Sequence, residues 1–292
     1  MVGDFVVLSD EDAEQGIIQK VLPRSSLFVR SAAGTTKEAQ AVGANIDTCF
    51  ITMSLNQDFN LRRLERYLTI AWDSGATPVV VLTKADLSED LADKQSEVES
   101  VALGVDIITT SAKEGEGLSA LTPYLQTEKT VVFLGSSGVG KSTLINMILG
   151  EARIKTSEVR EDDDKGRHTT TARNLIYLDN GCAVIDTPGI REVGVESGDT
   201  AHSFADIEAL AAMCRFSDCG HGSEPGCAVK AAIADGSLDA KRLESYIKLQ
   251  NEMSYDGLSA KQRETAKLER MMAEVGGMKG YRKFAKKSKQ DR

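Results

Sequence analysis

The chain lacks the marks of export and of membrane insertion. Its first residues, Met-Val-Gly-Asp, alternate apolar and polar character and show no secretory leader. No apolar run reaches the roughly 20 residues that a bilayer-spanning helix needs. A cytoplasmic protein with no membrane partner is expected. Cysteine is scarce and odd in number, five in 292 residues, which argues against a disulfide framework. Positive charge is in deficit: 35 Lys and Arg stand against 44 Asp and Glu, a net −9, so the molecule as a whole is not a polyanion binder. No internal repeat is evident. What is present is a hydrophobic content of 41%, enough for buried cores, and a length that allows two or three domains.

The deficit of positive charge is uneven. Residues Lys279 to Arg292 hold seven Lys or Arg and one Asp, a local +6, which leaves −15 for the rest. A basic tail on an acidic body is either a docking arm for nucleic acid or a solvated end.

One stretch organises the chain. Val131 to Leu134 is an apolar run that ends at Gly135, and Gly135-Ser136-Ser137-Gly138-Val139-Gly140-Lys141-Ser142-Thr143 follows. Leu144, Ile145, Ile148 and Leu149 then recur at helical spacing. Strand, glycine-rich loop and helix in this order form a phosphate cradle. Glycines turn backbone N–H groups inward on phosphate oxygens, and the helix N-terminus adds partial positive charge. Lys141 would reach the β- and γ-phosphates and Ser142 would hold Mg²⁺.

Around it, apolar strand patterns alternate with helical ones. Thr48 to Thr52, Pro78 to Leu82, Val105 to Thr110, Asn174 to Leu178 and Cys182 to Ile185 read as strands. Helical patterns fall at Leu61 to Trp72, Ser88 to Leu103 and Leu118 to Leu125. This alternation predicts an α/β fold, a parallel sheet with helices on both faces and ligands at the strands' C-terminal ends. Short strands at Val2 to Leu8, Gly16 to Val21 and Leu27 to Arg30 precede it. Helices at Ser203 to Met213, Lys230 to Asp235 and Lys241 to Met253 follow it, with a further stripe at Leu268, Met271, Met272 and Val275.

A phosphate cradle alone does not tell guanine from adenine. Thr83-Lys84-Ala85-Asp86 does, because the Asp86 carboxylate can accept from both the N1–H and the exocyclic amine of guanine. Thr83 stands where Asn is more usual, which is expected to soften contact to the base or the loop. Ser111-Ala112-Lys113 fits the companion loop, with the Ala112 N–H reaching guanine O6. Asp186-Thr-Pro-Gly189 has the pattern of a γ-phosphate sensor: Asp186 would bind Mg²⁺ through water and the Gly189 N–H would meet the phosphate. The polar segment Glu161 to Thr171 reads as a switch loop, in which Thr169 or Thr170 completes the Mg²⁺ shell. Ile190 occupies the place where many GTPases carry a water-orienting Gln. His168 is a candidate replacement, or a plain loop histidine.

The last constellation is Cys214-x₄-Cys219-x-His221-x₅-Cys227. Three thiolates and an imidazole make a closed tetrahedral zinc site, hence a structural one. Cys49 and Cys182 lie in apolar strands and read as core residues.

The base-reading motifs precede the cradle, switch and sensor, an order that resembles the circularly permuted GTPases. With Gly-Arg-His-Thr-Thr-Thr171 in the switch and the Cys-Cys-His-Cys spacing behind it, the sequence resembles the ribosome small-subunit-dependent GTPase A family, the RsgA type. The match runs from about Leu22 to Leu249, and Val2 to Val6 resembles the end of that family's N-terminal OB-fold. The resemblance implies three parts: a partial OB-like segment at 1–36, a permuted GTPase domain at 37–195, and a helical zinc-binding domain with its basic tail at 196–292. It implies GTP and GDP, Mg²⁺ and Zn²⁺ as cofactors, and the small ribosomal subunit with its rRNA as partner. It also implies a role in late subunit maturation, slow hydrolysis stimulated by the subunit, and a monomeric state. Two rivals remain open: a metabolic P-loop phosphotransferase, and a zinc-dependent RNA-binding module, either with a GTP switch and acting on another RNA or with a degenerate nucleotide site.

Overall fold

The computed structural model describes residues 1–9, 16–30, 40–56, 58–151, 174–186, 200–222, 224–254, 262 and 265. The switch segment Glu161 to Thr171, residues 187–199, the stripe from Leu268 and the basic tail lie outside the described residues.

Two small antiparallel pairs come first. β1 (Val6–Leu8) pairs with β2 (Ile18–Val21), and β3 (Leu27–Arg30) with β4 (Gln40–Ala44). The first expected strand is shortened to three residues for a local reason. Gly3 sits at φ +88°, where a Cβ would lie 2.0 Å from the Ala44 carbonyl oxygen, so Val2 to Asp4 form a turn against β4. β4 was not expected, and the β3–β4 ladder bridges residue 36, the expected end of the first part.

The central sheet has six strands, in the order β7, β6, β5, β8, β10, β9. These are β5 (Thr48–Ser54), β6 (Thr77–Thr83), β7 (Asp106–Thr109), β8 (Thr130–Leu134), β9 (Asn174–Tyr177) and β10 (Ala183–Asp186). Five run parallel; β9 is antiparallel to β10, so the sheet is mostly rather than wholly parallel. A short turn at Asn180 and Gly181 joins the two, and such a turn can connect only antiparallel neighbours. Pro78 is tolerated in β6 because it precedes Val79, where pairing with β7 begins.

Alternation along the strands sorts the core onto two faces. Ile51, Met53, Val80, Leu82, Val132 and Leu134 point one way, toward α1 (Leu61–Asp73) and α2 (Leu91–Val101). Phe50, Val79, Val81, Val131, Phe133 and Val184 point the other way, toward α3 (Lys141–Leu149). Each such fully buried side chain contributes about 1.5–3 kcal/mol. α1 starts where the Asn60 side chain accepts from the Arg63 N–H at 3.0 Å. The expected helix at Leu118 to Leu125 is instead a 3-10 turn, Leu118–Tyr124, with Pro123 inside it; proline has no N–H for an α-helical bond.

Two short helices, α4 (Ala205–Ala211) and α5 (Ala228–Ala234), and the longer α6 (Ala240–Ser254) follow. Phe204, Ile207, Val229, Leu243 and Tyr246 join the α1-side core, so this unit shares one hydrophobic cluster with the sheet. Arg242, buried on α6, holds the joint. It donates to Glu65 of α1 at 2.9 Å, to Asp206 at 2.6 and 2.8 Å, and to the Ser203 carbonyl at 2.9 Å. Burial pushes the Glu65 carboxyl up, although Ser245 and Arg242 pull it down.

Candidate functional site

The phosphate loop leaves β8 at Gly135. Its φ is +152°, and a Cβ there would lie 2.3 Å from the Thr52 carbonyl oxygen of neighbouring β5. Only glycine lets the loop begin so close to the sheet. The loop ends at Gly140, the N-cap of α3, at φ +102°. Ser142 and Thr143 fall in the first turn of α3, half-buried, and Val139 is buried. Lys141 folds back over the loop: its ammonium donates to the Gly135 carbonyl at 2.6 Å and to that of Ser136.

The Thr83 segment leaves the end of β6, on the same edge of the sheet. The Thr83 hydroxyl donates to the Val139 carbonyl at 2.6 Å, so the threonine keeps a firm tie to the phosphate loop. Lys84, in a left-handed conformation at φ +59°, donates to the Gly138 carbonyl at 2.8 Å. Asp86 lies in the 3-10 turn Ala85–Leu87, and the Ser111 hydroxyl donates to its Oδ1 at 2.7 Å. The Ala85 N–H donates to the Thr110 carbonyl at 3.2 Å, which holds the two loops together. A pocket of about 330 Å³ opens between them, lined by Thr83, Lys84, Asp86, Ala112, Lys113, Gly140, Thr143 and Leu144. Three segments far apart in sequence thus converge on one cavity beside the start of α3. Asp186 ends β10, the strand next to β8, with Ile185 paired to Val132. Gly189, His168, Thr169 and Thr170 lie outside the described residues.

On the other side of α1, Cys214, Cys219, His221 and Cys227 gather with all four donor atoms within 4.8 Å of one another. Tetrahedral zinc with bonds of about 2.3 Å to sulfur would set sulfur–sulfur edges of about 3.8 Å and sulfur–nitrogen edges of about 3.6 Å. The cluster shows 3.9 Å between Cys214 and Cys227, and 3.8 and 3.5 Å from these sulfurs to His221 Nδ1. His221 takes a left-handed φ of +56°. The Lys230 N–H donates to the Cys227 sulfur at 3.4 Å. Burial pushes the Cys214 thiol up, but the N–H groups of Val229 and Ala228 and the neighbouring thiols outweigh it, leaving it below the ordinary value. Donor set and spacing fit a closed zinc site. Cys49 and Cys182 are buried in the core, and burial pushes both thiols up.

The RsgA GTPase family model matches residues 21–196. The small ribosomal subunit biogenesis GTPase RsgA 2 of Lactiplantibacillus plantarum is 55% identical over 278 residues, 95% of this chain and 79% of the relative. The chain belongs to the RsgA GTPase family. RsgA of Methanosarcina acetivorans is 46% identical, over 98% of this chain and 79% of its own. Among solved structures, YjeQ from Thermotoga maritima superposes with a TM-score of 0.65 at 30% identity, over 86% of this chain and 84% of that one. YloQ, described as a circularly permuted GTPase, superposes with a TM-score of 0.62 at 28% identity, over 87% and 80%. The chain order here, the Thr83 and Ser111 loops before the Gly135 loop, matches that of a circularly permuted GTPase. An ABC transporter model also matches residues 118–285, a span that contains the phosphate loop; relatives matched over 95% and 98% of this chain decide in favour of RsgA. As an RsgA family member the chain is a GTP-hydrolysing enzyme, and the family implies GTP, GDP and Mg²⁺.

One contact at the RsgA-type phosphate loop was not foreseen. Arg63 Nη1, in the first turn of α1, donates to the Ser136 hydroxyl at 2.5 Å and to Asp58 at 2.6 Å. The sequence signal was three arginines on one helix, Arg62, Arg63 and Arg66, but nothing in it named their partner.

Proposed function

We propose that this chain is a GTP-driven assembly factor for the small ribosomal subunit, acting as a monomer in the cytoplasm on late maturation of the particle and its rRNA. The observation that carries this is the single pocket shared by Asp86, Ala112 and the start of α3, in a chain 55% identical to a protein named for small-subunit biogenesis. No helix among the described residues is long and apolar enough to cross a membrane.

In this reading Asp86 accepts from guanine, Lys84 packs along the base, and the Ala112 N–H meets O6, with Thr83, Ala85, Ser111 and Lys113 shaping the walls. Gly135 to Gly140 wrap the phosphates, and Lys141 exchanges its two loop carbonyls for phosphate oxygens. Ser142, Asp186 and one of Thr169 and Thr170 hold Mg²⁺, which supplies charge neutralisation on the phosphates. Gly189 reports the γ-phosphate. His168 orients the attacking water in the docked state; without an orienting group, turnover falls toward ~10⁻⁴ per second. Cys214, Cys219, His221 and Cys227 hold one structural Zn²⁺. The chain divides into parts at 1–36, 37–195 and 196–292, with the β3–β4 ladder shared across the first boundary.

Co-sedimentation with purified small subunits tests the proposal. More chain should pellet with a non-hydrolysable GTP analogue than with GDP. Equal pelleting in both states rejects nucleotide-gated assembly.

A further inference from the structure

A second cavity, of about 290 Å³, lies between α1 and α6, and four of its nine lining residues are cations. Arg62, Arg63 and Arg66 reach it from α1, at the i, i+3 and i, i+4 spacing that puts them on one helix face. Lys248 reaches it, exposed, from α6. The only acid in its lining is Glu65, which is buried and committed to Arg242 at 2.9 Å. Phe204 forms an apolar part of the wall. Arg62 pairs with the exposed Glu244 at 3.0 Å, and Arg63 with the half-buried Asp58 at 2.6 Å. An exposed pair such as Arg62–Glu244 contributes little and is readily exchanged.

We propose that this groove is a docking site for the phosphodiester backbone of RNA, and that it reports occupancy to the nucleotide pocket through Arg63. Guanidinium groups match phosphate oxygens with two parallel N–H donors, which a lysine cannot do. The chain carries −9 overall, so long-range attraction to RNA is unfavourable and the contact has to be made by a local concentration of cations such as this one. Arg63 belongs to both sites. A phosphate that draws its guanidinium into the groove withdraws it from Ser136 of the phosphate loop, which alters how tightly that loop holds its nucleotide. The inference rests on the small-subunit reading, which supplies RNA as the polyanion.

The test uses the full chain and a fluorescein-labelled 20-nucleotide RNA, titrated at several salt concentrations. The groove variant is Arg66→Gln/Lys248→Gln. A control, Lys20→Gln/Lys129→Gln, removes the same charge elsewhere. The slope of log K against log salt should shrink by about 1.4 in the groove variant, about 0.7 for each cation lost, and hold in the control. Equal changes in both, or none, overturn the site. If the double variant melts lower than the parent, Lys248→Gln alone carries the comparison. Polyglutamate that displaces RNA at equal charge concentration overturns RNA as the occupant. Release of a fluorescent GDP should change on adding RNA to the parent chain and not to the groove variant; an unchanged rate in the parent overturns the reporting role. Subunit pelleting separates the two readings. GTP-dependent pelleting with no groove effect sinks the groove alone, whereas a groove effect without GTP-dependent pelleting sinks the assembly role and leaves the groove.

Discussion

Replacing Asp86 with Asn changes one atom of the proposed base site and inverts its hydrogen-bonding pattern. The carboxylate is held in place before any nucleotide arrives, because the Ser111 hydroxyl donates to Oδ1 at 2.7 Å. Guanine offers two donors to it, N1–H and the exocyclic amine. Hydrogen bonds to a charged acceptor contribute about 1.5–3 kcal/mol each. Asparagine keeps one acceptor, but its amide then faces the guanine amine, donor against donor. The variant loses one charge-assisted bond, weakens the other and sets two donors against each other. The sum is about 2–4 kcal/mol, or a factor of about 30 to 1,000 in guanine nucleotide affinity. Xanthine carries a carbonyl where guanine carries the amine, so it accepts from the new amide and recovers most of that difference. Displacement of a fluorescent GDP by unlabelled GDP and XDP measures both effects in one plate. The expected result is a reversal of preference, with the fold of the variant unchanged. A variant that still prefers GDP by the parental margin would refute the assignment of Asp86 to the base, and with it the claim that the 330 Å³ pocket is the guanine site.

Two further outcomes are expected. Arg242→Met should destabilise by about 3–5 kcal/mol, because it leaves Glu65 buried without its cation. Adding Glu65→Gln should restore most of the loss in urea titrations, and a double variant as unstable as the single one would remove the pair from the joint. Glu65 is pushed up by burial, so folded chains hold its proton above the ordinary carboxylate range while unfolded chains do not. Stability from this group therefore falls as pH rises through that window, and the deficit of Arg242→Met should shrink toward acidic pH. Chelation should release one Zn²⁺ per chain and expose the amides of α4 and α5 to hydrogen exchange, while GDP affinity is retained. A chain purified with no stoichiometric zinc, and unmoved by chelator, would remove the metal from the account.

The parts of the site that were legible in the sequence are those written in contiguous residues at strand ends. The Gly135 loop, Thr83 to Asp86 and Ser111 to Lys113 each combine a short apolar run with a fixed group of polar residues, and the strand period announces where each begins. Their convergence was legible only as a consequence of the parallel sheet, in which all C-terminal strand ends share one edge. Strand direction is another matter. Asn174 to Tyr177 has the composition of any buried strand, and periodicity carries no sign, so its antiparallel pairing became visible only with the turn at Gly181. β4 escaped notice because Gln40-Ala-Val-Gly-Ala44 has one β-branched residue and gains its place by pairing with β3. Leu118 to Leu125 shows helical spacing, and Pro123 tightened it to a 3-10 turn. The long-range polar contacts were invisible for a simpler reason. Arg63 finds Ser136 at a separation of 73 residues, and Arg242 finds Glu65 at 177, and no local pattern encodes a partner at that distance.

Those two contacts lie almost side by side on α1, and their spacing has a mechanical consequence. Successive residues on a helix turn by about 100°, so Arg63, Leu64 and Glu65 face three different neighbours. Arg63 faces the phosphate loop, Leu64 is buried in the sheet core, and Glu65 faces Arg242 and the unit that holds the cysteine–histidine cluster. A rotation of α1 that improved one of these contacts would spoil another, since all three are fixed within one turn. The helix therefore moves as a rigid body or not at all, and a shift imposed at Ser136 is felt at Arg242. In a chain of permuted order, the last strand of the sheet, β10, also leads onward to the same unit, so it is joined to the nucleotide pocket by the backbone and by α1. Two attachments at different points constrain orientation as well as position. In the assembly role proposed above, these two attachments would pass a nucleotide-dependent shift of the phosphate loop to the cluster as a change of orientation.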